Sequence, residues 1–345
     1  MRKLALAIAL ALCLAPASSA GAAPRSFYGV VPFGDPSQSD ITRMGTGKVG
    51  QMRINIYWPA VRPFEALGHN WGRYDPIVER AAEQGIRIFP TIYGSPPWAA
   101  DKAKHPPKPQ YRDEFWDFLR AAAERYGPGG DFWVLNPLLP NLPIVDWQMW
   151  NEVNSPTFWY AKPRAKQYKP LLRVATSAIK GVNPNSRIVL AGMFKTPQLK
   201  NAVPMRKYLK HLYRIGGKRF FDAAAVHPYA RTPRQALRTL DLARRVMRRH
   251  KDGKTRIWIT ELGWASSGIR TPVTVKPKRQ ARYLRQIYKR AARTRKRRRI
   301  AGVFWFSFKD LKPKFWIYRT GLLTRSGKAK PSWKSFVRFT GGRAG

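Results

Sequence analysis

Eight short apolar runs, each followed by a longer amphipathic stretch, restrict the folds open to this chain more than any other feature. The runs are Phe27–Phe33, Gln51–Tyr57, Ile86–Tyr93, Ile144–Trp150, Arg187–Met193, Ala223–His227, Arg256–Glu261 and Ile300–Ser307. Most are apolar at nearly every position, the pattern of parallel strands covered on both faces. Helix signals fill the intervals. Asp75-Pro76 reads as an N-cap and first-turn proline, with Gly85 as the stop. Thr232-Pro233 and Lys276-Pro277 open two further helices, and Pro331 to Phe339 forms the last. Eight strand–helix pairs in succession predict an α/β fold closed as a single (β/α)8 barrel. Six or seven pairs would point to an open, doubly wound sheet.

The start of the chain has a different logic. Met1-Arg2-Lys3 is basic, Leu4 to Pro16 is apolar, and Ala17-Ser18-Ser19-Ala20 is small, which is the order of a secretory signal peptide. The apolar stretch is too short for a bilayer anchor, and no later segment is long and apolar enough. The expectation is a secreted protein with a signal over residues 1–20 and one catalytic domain over 21–345. The single cysteine, Cys13, lies in the signal and follows Leu12, where a lipoprotein needs a small residue. Disulfide and thiol chemistry therefore drop out. The five histidines are scattered, without metal-ligand spacing, so neither metal nor cofactor is expected.

At the C-terminal ends of barrel strands, side chains face the active site. Two glutamates stand there: Glu152 after the fourth strand and Glu261 after the seventh. Acidic residues number only 19 against 65 basic ones, so two at one level of one barrel are informative. Glycosidic cleavage needs one carboxyl group to protonate the leaving oxygen and a second to meet the developing positive charge. Either glutamate taken singly reads equally well as a helix cap.

The words around them carry a resemblance. Trp150-Asn151-Glu152-Val153-Asn154 and Thr260-Glu261-Leu262-Gly263-Trp264 resemble the hallmarks of glycoside hydrolase clan A, closest to family 39 and its bacterial relatives, with family 5 next. The resemblance runs from Tyr28 to Phe336. It implies a retaining hydrolase of poly- or oligosaccharides, with Glu152 as acid/base and Glu261 as nucleophile. It further implies that Asn151 binds the sugar 2-hydroxyl, Arg53 supports the nucleophile, and His227 and Tyr229 stand beside it. Trp305 then matches the aromatic floor under the reacting sugar. Trp98, ending the third strand, is a candidate for stacking on a neighbouring sugar, though surface packing explains it as well. Val153 stands where many relatives have proline, and Tyr93-Gly94-Ser95 replaces a histidine, which leaves the choice of sugar open.

The net charge of +46 raises the question of a polyanionic partner. The densest runs, Arg244 to Lys251 and Arg293 to Arg299, close helices that lead into the seventh and eighth strands. They belong to the face opposite the glutamates, where they are expected to offer non-specific contact to an anionic envelope or polymer. The loop Gly127–Pro143 enters the fourth strand from that same face. No zinc-finger, RNP or helix-turn-helix pattern is present, so specific nucleic-acid binding is not expected. A catalytically silent barrel that binds carbohydrate or an anionic envelope is the alternative reading.

Overall fold

The computed structural model describes residues 23–159, 162–195 and 199–345. The expected signal segment, residues 1–20, lies outside them. Among the described residues there are nine strands: β1 Tyr28–Val31, β2 Gln51–Tyr57, β3 Arg87–Tyr93, β4 Asp146–Met149, β5 Arg187–Leu190, β6 Met193–Phe194, β7 Ala223–His227, β8 Arg256–Ile259 and β9 Ile300–Phe306. All neighbours pair in parallel, and β1 closes the ring on β9 from Tyr28↔Val303 to Val31↔Phe306. β5 and β6 are two pieces of one barrel strand, since β7 pairs with β5 at Ala223↔Val189 and with β6 at Val226↔Met193. The expected eight-stranded (β/α)8 barrel is therefore what forms, with its fifth strand interrupted at Ala191-Gly192.

Side chains of Val31, Phe89, Val189, Ala223, Ala225, Trp258, Phe304 and Phe306 fill the barrel. Small and large residues complement each other there. Phe89, Trp258 and Phe304 form a cluster with ring centroids 4.8 to 5.9 Å apart, and Ala223 and Ala225 of β7 share the same interior. Gly29 and Gly302 serve that packing directly. A Cβ at Gly29 would meet the Phe304 ring at 2.3 Å, and one at Gly302 would meet Trp258 at 2.4 Å.

Around the ring, the helices begin largely where the local signals place them. Thr232 caps Pro233–Arg249 by accepting from the Gln235 amide at 3.3 Å. Asp75 corrects the expectation: it is the first residue of Asp75–Glu83, not its cap. Its carboxylate instead accepts from Arg125 Nε at 2.8 Å and the Tyr126 hydroxyl at 2.6 Å. β1, β4 and β8 stop short of the C-terminal ends of their apolar runs, at Val31, Met149 and Ile259. Both glutamates thus lie just past the ladder, in segments free to turn toward the barrel axis. Among the described residues no helix is long and apolar enough to cross a membrane.

Candidate active site

The centre of the site is one arginine. Arg53 on β2 is 2% exposed, and its guanidinium donates in three directions. Nε reaches Gln148 Oε1 at 2.8 Å, Nη1 reaches Glu261 Oε1 at 2.9 Å, and Nη2 reaches Asn151 Oδ1 at 3.0 Å. A planar guanidinium holds all three acceptors at fixed angles, which an ammonium cannot do. Glu261, just past β8, and Asn151, just past β4, are thereby tied to β2.

The other oxygen of Glu261 accepts from the Tyr229 hydroxyl at 2.9 Å. Burial pushes the Tyr229 phenol well above its ordinary value, with the Glu261 and Glu152 carboxylates adding to the shift. Tyr229 therefore remains a donor at any ordinary pH.

Glu152 sits differently. Its side chain is 16% exposed, and burial raises its pKa above 4.5, opposed by the hydrogen bond from His227. His227 Nδ1 lies 2.8 Å from Glu152 Oε1 and 3.5 Å from Glu261 Oε2. Facing oxygen and nitrogen atoms of Glu152, His227 and Glu261 all fall within 4.8 Å of one another. Two carboxylates and an imidazole are also a donor set suited to a divalent metal. Here Arg53, Tyr229 and His227 already provide partners for the carboxylate oxygens.

The backbone explains how Glu152 arrives at this place. Trp150 and Glu152 adopt positive φ, 71° and 38°, in the sparsely populated left-handed region. Strained conformations of this kind persist where surrounding contacts over-determine them. Those contacts are visible: Trp150 N donates to Ile92 O at 2.7 Å, and Glu152 N donates to Gly192 O at 3.1 Å. The interruption of the fifth strand supplies that carbonyl. Gly192 has a second role, because a Cβ there would lie 1.9 Å from His227 Nε2. The histidine ring occupies the space that glycine leaves.

The expected residues Glu152, Glu261, Asn151, Arg53, His227 and Tyr229 thus come together. Two do not. Trp305 is a correction: it is fully buried and points outward to the helices, its Nε1 donating to Thr320 O at 2.9 Å. Its ring lies 6.0 Å from Trp264 and 6.5 Å from Tyr288 of the helix Pro277–Arg298. Strand alternation gives the inward positions to its neighbours Phe304 and Phe306. Trp98 is half-buried in the wall beyond β3, edge-on to Trp58 at 5.0 Å and Tyr111 at 5.5 Å, with Nε1 on Pro63 O. No contact joins it to the carboxylates.

Several members of the site were not singled out in the sequence. Gln148 accepts from Arg53 and from Thr91 Oγ1 while donating to Leu190 O, so all its hydrogen bonds are internal. A lone amide inside the run Trp147-Gln148-Met149-Trp150 was its visible signal, since a buried polar group needs a partner. Tyr57 and Tyr93 share a 2.8 Å hydrogen bond, and Tyr57 also accepts from Asn55. Aromatic rings extend from the carboxylates on two sides. On one side, Tyr229 meets Trp316 at 5.2 Å, and Trp316 meets Phe315 at 6.1 Å. On the other, Tyr93 meets Phe158 at 5.9 Å, with Lys104 Nζ 5.5 Å from that ring. Exposed Lys102, Lys104, Arg231, Arg270, Lys312 and Lys314 stand on these loops as well. Cations therefore stand at this end of the barrel as well as at the opposite one.

No protein-family model and no curated protein sequence matches the chain. Solved structures do. A family 39 glycoside hydrolase from Bacteroides cellulosilyticus WH2 superposes with a TM-score of 0.66 at 19% identity, over 92% of this chain and 63% of that one. What the chain shares with it is the (β/α)8 barrel fold. A monomeric beta-xylosidase from Caulobacter crescentus CB15 gives 0.67 at 16% identity, over 92% and 68% of the two chains. A GH5_18 structure from Streptomyces cattleya, solved in complex with Manb1-4GlcNAc, gives 0.65 at 16% identity, over 92% and 80%. The chain thus spans less than two thirds of the length of the first of these relatives.

Proposed function

We propose that this protein is a retaining O-glycosyl hydrolase acting on a poly- or oligosaccharide, with Glu152 as acid/base and Glu261 as nucleophile. One observation carries the reading: two carboxylates in unlike environments, with facing oxygens within 4.8 Å, at the mouth of a glycosidase barrel. Retaining enzymes hold their carboxyl groups about 5 Å apart, whereas inverting ones leave roughly 6.5–9.5 Å for a water.

The surroundings support distinct roles for the two glutamates. Glu261, held by Arg53 and Tyr229, attacks the anomeric carbon as the bond to the leaving oxygen breaks. Glu152, whose burial favours the protonated form, gives its proton to that oxygen. A water then takes the leaving group's place, Glu152 accepts its proton, and the glycosyl ester on Glu261 is cleaved. His227 fixes Glu152 Oε1, which leaves Oε2 for proton transfer. Asn151, oriented by Arg53, stands beside the acid to meet a sugar hydroxyl. Aromatic rings on both sides of the carboxylates supply stacking surface for a chain that passes through the site. The basic, apolar, small order of the first 20 residues supports export to where such polymers occur.

The test is hydrolysis of a chromogenic β-glycoside panel and a polysaccharide panel with product sizing, using Glu261→Ala as the blank. Glu261→Ala abolishes turnover and Glu152→Ala slows it. Near-normal hydrolysis by the Glu261 variant sinks the assignment. Binding without product across both panels favours the catalytically silent barrel instead.

A further inference from the structure

The end of the barrel opposite the glutamates carries two features that the reaction does not use. The first is an apolar tip on the connection into β4. The short helix Asp131–Leu135 and the turn after it leave Val134 69% exposed, Leu135 70% and Leu138 98%. The tip is well anchored. Phe132 and Trp133 are buried beneath it, Trp133 Nε1 donates to Tyr126 O, and Asn136 Nδ2 donates to Phe132 O. Apolar side chains fixed in water on a braced segment mark an interaction surface.

The second feature is the cationic rim at the same end, on the connections into β7, β8 and β9. Arg219, Arg249, Lys251, Lys254, Arg297 and Arg299 are all exposed there. Not every base of the runs is available: Arg244 is buried and donates to Gly253 O, Thr255 O and Arg298 O, while Arg298 pairs with Asp241. Carboxylates at this end are mostly engaged too, Asp146 with Arg187, Asp222 with Lys180, and Asp252 with Tyr213 and Thr255. The rim therefore keeps a large uncompensated positive charge.

In the ring, β4 and β9 lie opposite each other. The apolar tip and the densest cations consequently stand at opposite edges of one barrel end. A dissolved polyanion satisfies the cations but offers nothing to Leu138. A flat surface with negative headgroups over hydrocarbon suits both features at once. We infer that this end of the barrel docks on an anionic lipid bilayer, with Val134, Leu135 and Leu138 entering the headgroup–acyl boundary. The glutamates then face away from the membrane, toward polymer in the surroundings.

Vesicle co-sedimentation of the full chain tests this, with equimolar phosphatidylglycerol–phosphatidylcholine vesicles against phosphatidylcholine alone. The protein sediments with the anionic vesicles, less so at high salt, and not with the neutral ones. Leu135→Ser/Leu138→Ser weakens that binding at least about tenfold while leaving retention on heparin unchanged. Arg249→Ala/Arg297→Ala weakens both. Phe64→Ser, which alters a 68% exposed ring at the other end of the barrel, changes neither. Near-ultraviolet circular dichroism and thermal midpoints confirm that each variant is folded. Equal vesicle binding by the leucine variant overturns the inference, as does an equal loss in Phe64→Ser. Heparin retention without vesicle binding overturns it as well and assigns the cations to a dissolved polyanion.

Discussion

Replacing Arg53 by Met should destabilise the protein, and adding Glu261→Gln to that variant should restore much of the loss. The sign of the second step is the informative part. The Arg53 and Glu261 side chains are only 3% and 11% exposed, so solvent screens their 2.9 Å contact little. With charge centres about 4 Å apart and an effective dielectric near 20, their attraction is about 4 kcal/mol. Removing one partner of a buried pair leaves the other charge stranded and costs about 3–5 kcal/mol. Arg53→Met also deprives Asn151 Oδ1 of its donor, whereas Gln148 Oε1 keeps Thr91 Oγ1. Glu261→Gln in the same background removes the stranded charge and is therefore stabilising there. The assay is urea unfolding followed by tryptophan fluorescence, for which the chain has 13 reporters. A double-mutant cycle over the four proteins should give a coupling of about 2–4 kcal/mol. Additivity within ~0.5 kcal/mol, or a double variant less stable than Arg53→Met, would refute the reasoning.

Other outcomes follow from the same geometry. Because burial raises the Glu152 pKa above 4.5, the folded state binds more protons than the unfolded one between the two values. Stability should then fall as pH rises through that window, and Glu152→Gln should lack the fall; parallel pH–stability curves in urea melts would count against it. The alkaline limb of turnover should report the same group, and an unchanged limb in His227→Asn would show that the 2.8 Å contact does not tune it. Gly192→Ala places a Cβ 1.9 Å from His227 Nε2, so the ring must move. The variant should lose about 1–3 kcal/mol of stability and most of its kcat, and wild-type kinetics would remove Gly192 from the site. Trp305→Phe should lower the thermal midpoint without altering KM, since the ring faces helices; a large KM change with an unchanged midpoint would return it to the substrate side.

The barrel was legible because its cause is periodic. Eight near-continuous apolar runs report strands buried on both faces, and the count itself separates a closed barrel from an open sheet. Glu152, Glu261 and Arg53 were legible because charges are costly inside a barrel and must find one another. What escaped depends on direction and close approach. Trp305 and Phe306 are adjacent aromatics on one strand, and a one-residue difference in phase sends one to the helices and the other to the interior. An apolar run hides that phase, because both of its faces are buried. Gly192 escaped since its importance is the space it leaves for His227, a residue 35 positions later. Asp75 looked like a cap by local sequence, but Arg125 and Tyr126, from the next helix, claim its carboxylate. The charge runs were legible in place, though not in how each base is used. Their position at the helix ends was correct, yet Arg244 is spent internally and the cleft loops carry cations of their own.

The most direct test of the central claim is covalent trapping at Glu261. Activated 2-deoxy-2-fluoro glycosides slow both steps of a double displacement, and with a good leaving group the glycosyl-enzyme accumulates. Incubating the protein with a panel of such sugars, then digesting it and weighing the peptides, should reveal one glycosyl adduct. That adduct is expected on the carboxylate of Glu261 and absent from Glu261→Gln. Turnover of the parent glycosides with no adduct at Glu261, or an adduct at Glu152, would contradict it.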